Sequence, residues 1–332
     1  MTLWQRLLFA LATGYVFFFY SERMFWSFLR PGDAILFQVI AWLLYSFFTY
    51  MTLAIIARFN VNTLWSLFLA GTAFGWIVEG IYAMTFFGNG GIVLPFSIVW
   101  TGIASHALLS VVIGWYYLYR SLAYRGYLHS LAFSSLLGLY WGVWAVAWAL
   151  ETPPILSSYD GFIGHALITT LLLMLALWLH PRLDPANFRP TKWEYIVLFT
   201  IALGYTLLVT LPTVQFMLII LIACFGVLYL LLERHRKTAP GKPYLLTTFS
   251  KPISIGKLLC LIPMPIIASL VYVAMNDVGL IIPSNMFVFI ITSIAGTLFF
   301  LLAAYKIFRQ PKGGEVVQEP PLIQHGAQPD RH

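Results

Sequence analysis

The chain has 332 residues, of which 60% are hydrophobic, 17% aromatic and only 9% charged. A water-soluble domain carries roughly 25% charged residues, so this composition excludes an ordinary soluble protein and requires lipid as the solvent. The net charge of +7 is no sign of nucleic-acid binding, because the basic residues lie in loops between apolar runs and form no stripe.

Taken in order, the sequence predicts an all-α, polytopic integral membrane helix bundle of about ten spans at the roughly 20-residue length a bilayer requires. They fall near 3–21, 34–57, 62–87, 94–119, 127–150, 154–179, 192–211, 213–232, 257–276 and 286–308. The first carries Arg6 ahead of its apolar run and no small-residue cleavage site, so it reads as a retained signal anchor. The pair 192–232 is split at Pro212, and Pro263 and Pro265 kink or break the ninth span. The basic loop 233–257 has the composition to touch anionic headgroups. Residues 1–309 thus form one transmembrane helical domain, and the polar, Pro/Gly-rich 310–332 is expected to be a disordered cytoplasmic tail.

Lysine and arginine set the orientation. Only Arg23 and Arg30 fall outside one alternating set of loops and termini, so 17 of the 19 basic residues lie on one side. The positive-inside rule makes that side cytoplasmic, with both termini there, in a multi-pass protein of the cell membrane. The acids split differently: Glu22, Asp33, Glu79, Glu151, Asp160 and Asp277 all fall in the outer half or at its edge. Glu22, Asp33 and Asp277 read equally well as tolerated outer-loop acids. Glu79 does not, because it interrupts an apolar run where a charge is expensive.

Glu79 and His106 lie in consecutive spans joined by a short Gly/Asn loop. His106 belongs to a column, Gly102, His106, Ser110 and Gly114, whose spacing of four keeps it on one strip of small residues. A shift of 59 positions lays Pro95 on Pro154, Gly102 on Gly161, His106-Ala107-Leu108 on His165-Ala166-Leu167, and Ser110 on Thr169. Spans three–four and five–six therefore read as a parallel helical-hairpin repeat. Glu79, His106 and His165 are expected in one cavity open to the extracytoplasmic side, with Glu151 and Asp160 at its rim.

Histidine and carboxylate together suit three chemistries. They form an acid–base pair that activates water, with Glu79, His106, His165 and Glu151 as the candidate catalytic set. They can also hold a divalent metal, and two facing histidines could bind a haem iron. The structural alternative is that each donates one interhelical hydrogen bond worth about 0.6–2 kcal/mol. Cys224 and Cys260 lack partner spacing for a disulfide or thiolate site, and no phosphate-cradling loop, nucleophile elbow or zincin helix is present. Three functions remain open: a membrane-embedded hydrolase, a transporter or non-catalytic scaffold, and a bis-histidine haem protein. The partners expected are the bilayer and a membrane-protein or lipid substrate, with no nucleic acid.

The segment GTAFGWIVEGIYAM, followed by SIVWTGIASHALLSVVIGWYYL, resembles two motif helices of the PrsW-type glutamic intramembrane proteases. That superfamily includes the CAAX-processing and bacteriocin-processing (CPBP) proteins and the scaffold subunit of gamma-secretase. Glu79 matches the family's aromatic- and glycine-flanked glutamate, and His106 the histidine of its later helix. The His165 helix has no counterpart, and the family's pair of adjacent glutamates is absent upstream. The resemblance implies hydrolysis of a membrane-embedded substrate at Glu79 and His106.

Overall fold

A computed structural model describes residues 1–30, 32–88, 91–239 and 244–310. The expected tail, apart from Gln310, lies outside the described residues. Lipid offers no partner for a free backbone N–H or C=O, so apolar runs close their own hydrogen bonds as helices. Among the described residues, nine helical segments are long and apolar enough to cross a membrane. They are α1 (Leu3–Arg23), α2 (Ile35–Arg58), α3 (Leu64–Tyr82), α4 (Ile98–Tyr124), α5 (Tyr127–Leu150), α6 (Tyr159–Leu183), α7 (Lys192–Thr238), α8 (Ile255–Asp277) and α9 (Ser284–Phe308).

Helix starts at the basic end are capped by their own sequence. Thr2, Thr63 and Thr191 each accept from the backbone N–H three residues on, and Gln5, Ser66 and Glu194 bond back to the cap. Several boundaries differ from the sequence expectation: α3 ends at Tyr82 and not at 87, α4 runs from Ile98 to Tyr124 and not over 94–119, and two further differences have a visible cause. Helix α6 begins at Tyr159, where Ser158 caps the Gly161 N–H, and not at Pro154. The Ile155 N–H is taken by the Trp148 carbonyl at 3.0 Å, which ties the segment after Pro154 back to the end of α5. In α7 the backbone turns at Gln215, with φ +50°, and not at Pro212. Pro212 sits in the first turn of a helical piece, where its missing N–H is harmless. Both ends of α7 lie at the basic end: Tyr195 Oη donates to the Ala54 carbonyl, and Arg234 donates to the Ile307 carbonyl. Its middle reaches the other end, where Thr210 Oγ1 donates to the Ile81 carbonyl.

Helix α1 is the central post, packed by α2, α4 and α6, while α3 pairs with α4 and α5 with α8. Small residues allow the closest approaches. A Cβ added at Gly75 would overlap the Gly102 backbone, and one at Gly142 would overlap the Ala268 carbonyl. The core between is aromatic, with Phe162 stacked on Tyr272 at 4.3 Å and Phe17 edge-on to Phe74 at 4.7 Å. Part of the basic loop turns inward. Leu245, Leu246 and Phe249 are buried, Leu245 N–H bonds to the Val61 carbonyl, and Phe249 stacks on Trp115 at 4.1 Å. Tyr119 Oη holds this segment through the Phe249 and Lys251 carbonyls.

Candidate functional site

Three helices meet where their turns widen to i→i+5 hydrogen bonding. These stretches are Phe19–Arg23 in α1, Ile77–Tyr82 in α3 and Ile98–Tyr117 in α4. Such geometry is rare, and single-turn bulges of this kind are frequent at functional sites. Contact between the Gly75 and Gly102 backbones closes α3 onto α4 and brings Glu79 to His106. The small-residue column swings as it descends: a Cβ at Gly102 would strike Trp76 of α3, and one at Gly114 would strike Tyr20 of α1. Between them, His106 and Ser110 both reach Ser21 of α1.

The pair itself is short. His106 Nε2 lies 2.6 Å from Glu79 Oε1, with 3% of the histidine side chain exposed and 15% of the glutamate. Met84 holds a left-handed backbone at φ +60°. It turns the chain back so that Thr85 Oγ1 donates to Glu79 Oε2. A left-handed non-glycine residue is uncommon and carries strain, here beside a half-buried carboxylate.

A hydroxyl chain backs the ring. Ser21 Oγ lies 2.8 Å from both His106 Nδ1 and Ser110 Oγ, and Ser110 Oγ also reaches the Ser105 carbonyl at 3.3 Å. Each hydroxyl has one proton to give, so the chain can run toward the ring or away from it. In either direction one proton lies between His106 Nε2 and Glu79 Oε1.

A second carboxylate shares the space. Glu22 Oε1 accepts from Tyr45 Oη at 2.7 Å, and Oε2 accepts from Trp26 Nε1 at 2.8 Å. Glu22, Glu79, Thr85, Trp100, Ser105 and His106 line one cleft of about 220 Å³ at the end opposite the basic residues. Arg30 lies over Trp26, 3.6 Å from the ring centroid. Burial holds its guanidinium below its ordinary pKa, with Asp33 and Glu151 opposing that shift.

The four residues expected to act together separate into two groups. Glu79 and His106 meet. His165 is buried but lines no wall of this cleft; its Nε2 lies 3.3 Å from the Arg23 carbonyl. Glu151 is exposed beyond the end of α5, and Asp160 is exposed in the first turn of α6. The expected single cavity for Glu79, His106 and His165 is corrected accordingly: α6 starts five residues later than expected, and its histidine turns to the α1 backbone. Among the described residues no group of three or more His, Cys, Asp or Glu side chains is placed to hold a metal ion. Both His106 nitrogens face side-chain partners, which leaves neither free for a haem iron. Ser21 and Tyr45 escaped the sequence reading, which placed Glu22 only among the outer-half acids that read equally well as tolerated loop residues. The available signal was Ser21-Glu22-Arg23, three consecutive polar residues closing an apolar helix.

Below His106 the bundle is closed by rings. His106 meets Phe74 at 5.3 Å, Phe74 meets Phe17 at 4.7 Å, Phe17 meets Trp115 at 5.4 Å and Trp115 meets Phe249. Phe74, Phe17, Trp115 and Phe249 have no exposed surface. Compared with known protein families, characterised proteins and solved structures, the chain gives no match.

Proposed function

We propose that the protein is a membrane-embedded hydrolase of the cell membrane. In this reading Glu79 takes a proton from a water in the cleft, and His106 supplies the shared proton to the leaving group. Glu22, held by Tyr45 and Trp26, orients that water from the other side. The substrate is an amide or ester presented at bilayer depth, in a membrane protein or a lipid. The observation that carries the reading is the 2.6 Å Glu79–His106 contact bordering a cleft that contains a second carboxylate. The resemblance of the α3 and α4 sequences to the glutamic intramembrane proteases points the same way. The aromatic column favours one-sided chemistry over transport, because a solute path would need polar groups on both sides.

Turnover of fluorogenic transmembrane peptides and ester lipids by the purified protein in nanodiscs tests this. Glu79→Gln should lower the rate by about 10²–10⁴-fold, the usual contribution of acid–base catalysis, without lowering the melting temperature. Solute uptake into proteoliposomes that depends on Glu79, with no turnover of any substrate, would instead establish a transporter.

The proposed orientation has ten crossings, counting α7 twice, with the basic end and both termini cytoplasmic. With Cys224 and Cys260 replaced by Ala, Val93→Cys should react with an impermeant thiol reagent outside the cell. Lys237→Cys should react only after lysis. The opposite pattern would reverse the topology.

A further inference from the structure

The same helix that supplies Ser21 and Glu22 to the cleft ends in an arginine facing elsewhere. Arg23 is 6% exposed, and its Nε and Nη1 have no hydrogen-bond partner. No carboxylate lies within ion-pair distance among the described residues, and the Phe18 ring lies 4.8 Å from the guanidinium carbon. The adjacent Glu22 attracts it, as Asp33 does, only at longer range, since both Glu22 oxygens are engaged by Tyr45 and Trp26. The contrast within α1 is direct. Arg6, in the first turn of α1, makes a two-pronged pair with Glu194, each contact 2.8 Å.

Arg23 lines one end of a second cavity of about 410 Å³, separate from the Glu79 cleft. Its walls are Leu8 and Leu11 of α1, Val39 and Trp42 of α2, and Leu172 and Leu175 of α6. Leu8, Val39, Leu172 and Leu175 are exposed, so the groove opens sideways toward lipid. From Leu8 to Arg23 it runs ~22 Å along α1, at 1.5 Å per residue. Gln38, at the Arg23 end, adds a second buried polar atom without a partner, its Oε1. A hydrocarbon-lined trough that ends in an unpaired cation needs an occupant with an apolar tail and an anionic head. The head must lie at the interface, where the 21-residue α1 emerges from a hydrocarbon core about 30 Å thick.

We infer that this groove holds one acyl chain of an anionic phospholipid whose phosphate docks on Arg23. Guanidinium and phosphate match in charge and in hydrogen-bonding geometry. Gln38 Oε1 accepts from a headgroup hydroxyl, which favours a phosphatidylglycerol-type lipid over a choline headgroup. His165 contributes by holding the Arg23 carbonyl, which sets the backbone from which the guanidinium projects. The site is independent of the proposed hydrolysis and stands or falls separately.

The test strips the protein of lipid in neutral detergent and titrates it with phosphatidylglycerol, phosphatidylcholine and inorganic phosphate, counting adducts by native mass spectrometry. One phosphatidylglycerol should be retained in preference to phosphatidylcholine, and inorganic phosphate should not displace it. Arg23→Gln should weaken retention at least about tenfold, as expected for removing one member of a desolvated charge pair. Arg30→Gln should leave it unchanged. Leu172→Trp, which fills the trough and keeps Arg23, should also abolish the adduct. Equal retention of both lipids would overturn the anion assignment. Displacement by inorganic phosphate would overturn the acyl groove, and unchanged retention in Arg23→Gln would overturn the site. The comparison of lipids on the unmodified protein needs no variant to fold.

Discussion

His106 and His180 are both buried at helix interfaces, and the same aromatic column joins them, yet they are opposite kinds of site. His180 Nδ1–H donates to the Ala176 carbonyl at 2.6 Å. Its Nε2 accepts from Trp115 Nε1 and from Thr13 Oγ1, each at 3.1 Å. Every proton there has one place to be, and the ring has no exposed surface. At His106 the hydroxyl chain on Nδ1 can run in either direction, and the proton between Nε2 and Glu79 lies beside a cleft. Burial of a histidine is therefore no measure of function. What distinguishes the two is whether the hydrogen-bond inventory closes with a proton left to move.

The largest expected effect comes from breaking what separates them. Phe17 lies between Phe74 and Trp115 with no exposed surface. Phe17→Ala should destabilise the protein by about 3–5 kcal/mol, the usual cost of emptying an aromatic site in a packed core. Equilibrium unfolding in mixed micelles measures it. A loss under about 1 kcal/mol would mean that the column is loosely packed and does not seal the cleft.

A smaller pair of effects tests the histidines directly. His180→Ala strands the Trp115 N–H and the Thr13 hydroxyl in a dry core, so it should cost about 1–3 kcal/mol of stability. Turnover per folded molecule should hardly change. His106→Ala should do the reverse. Its neighbours border a cleft where water can replace the ring, so the stability loss should stay under about 1 kcal/mol while turnover disappears. Paired unfolding and rate measurements on the two variants decide it. If both lose stability alike and turnover survives in both, His106 is a packing histidine.

Hydropathy made the helices legible because crossing a bilayer demands about 20 apolar residues whatever the fold. It also exposed Glu79 and His106, since each stands alone in such a run. The repeat between His106 and His165 misled for a physical reason. A sequence shift carries residue identity, whereas the direction a side chain takes depends on where its helix starts and how tightly it winds. Helix α6 starts at Tyr159, and α4 is wound wide around His106. Those two facts send one ring to the Arg23 carbonyl and the other to Glu79. Glu22 was hidden because a carboxylate at a helix end is ordinary on a membrane protein. Only the indole of Trp26 and the phenol of Tyr45 show that it is held inside. His180 offered no signal at all, because its role depends on Thr13 and Trp115, residues far away in the chain.

The smallest expected effect concerns the residue on which sequence and geometry disagree most. As a carboxylate in the outer half, Glu151 looked like a partner for the buried histidines. In the fold its backbone N–H meets the Trp148 carbonyl at 3.3 Å, and its side chain stands exposed past the end of α5. Its charge attracts Arg30, whose guanidinium burial disfavours, and Arg30 is not among the residues lining the cleft. An exposed charge acting across solvent is worth little. Glu151→Gln should change stability by no more than about 0.5 kcal/mol, the usual range for surface substitutions. It should also leave turnover within about twofold of the parent, since 0.5 kcal/mol in a barrier is a small factor in rate. A rate loss comparable to that of Glu79→Gln would place Glu151 in the chemistry. It would also mean that the loop between α5 and α6 closes over the cleft when substrate binds.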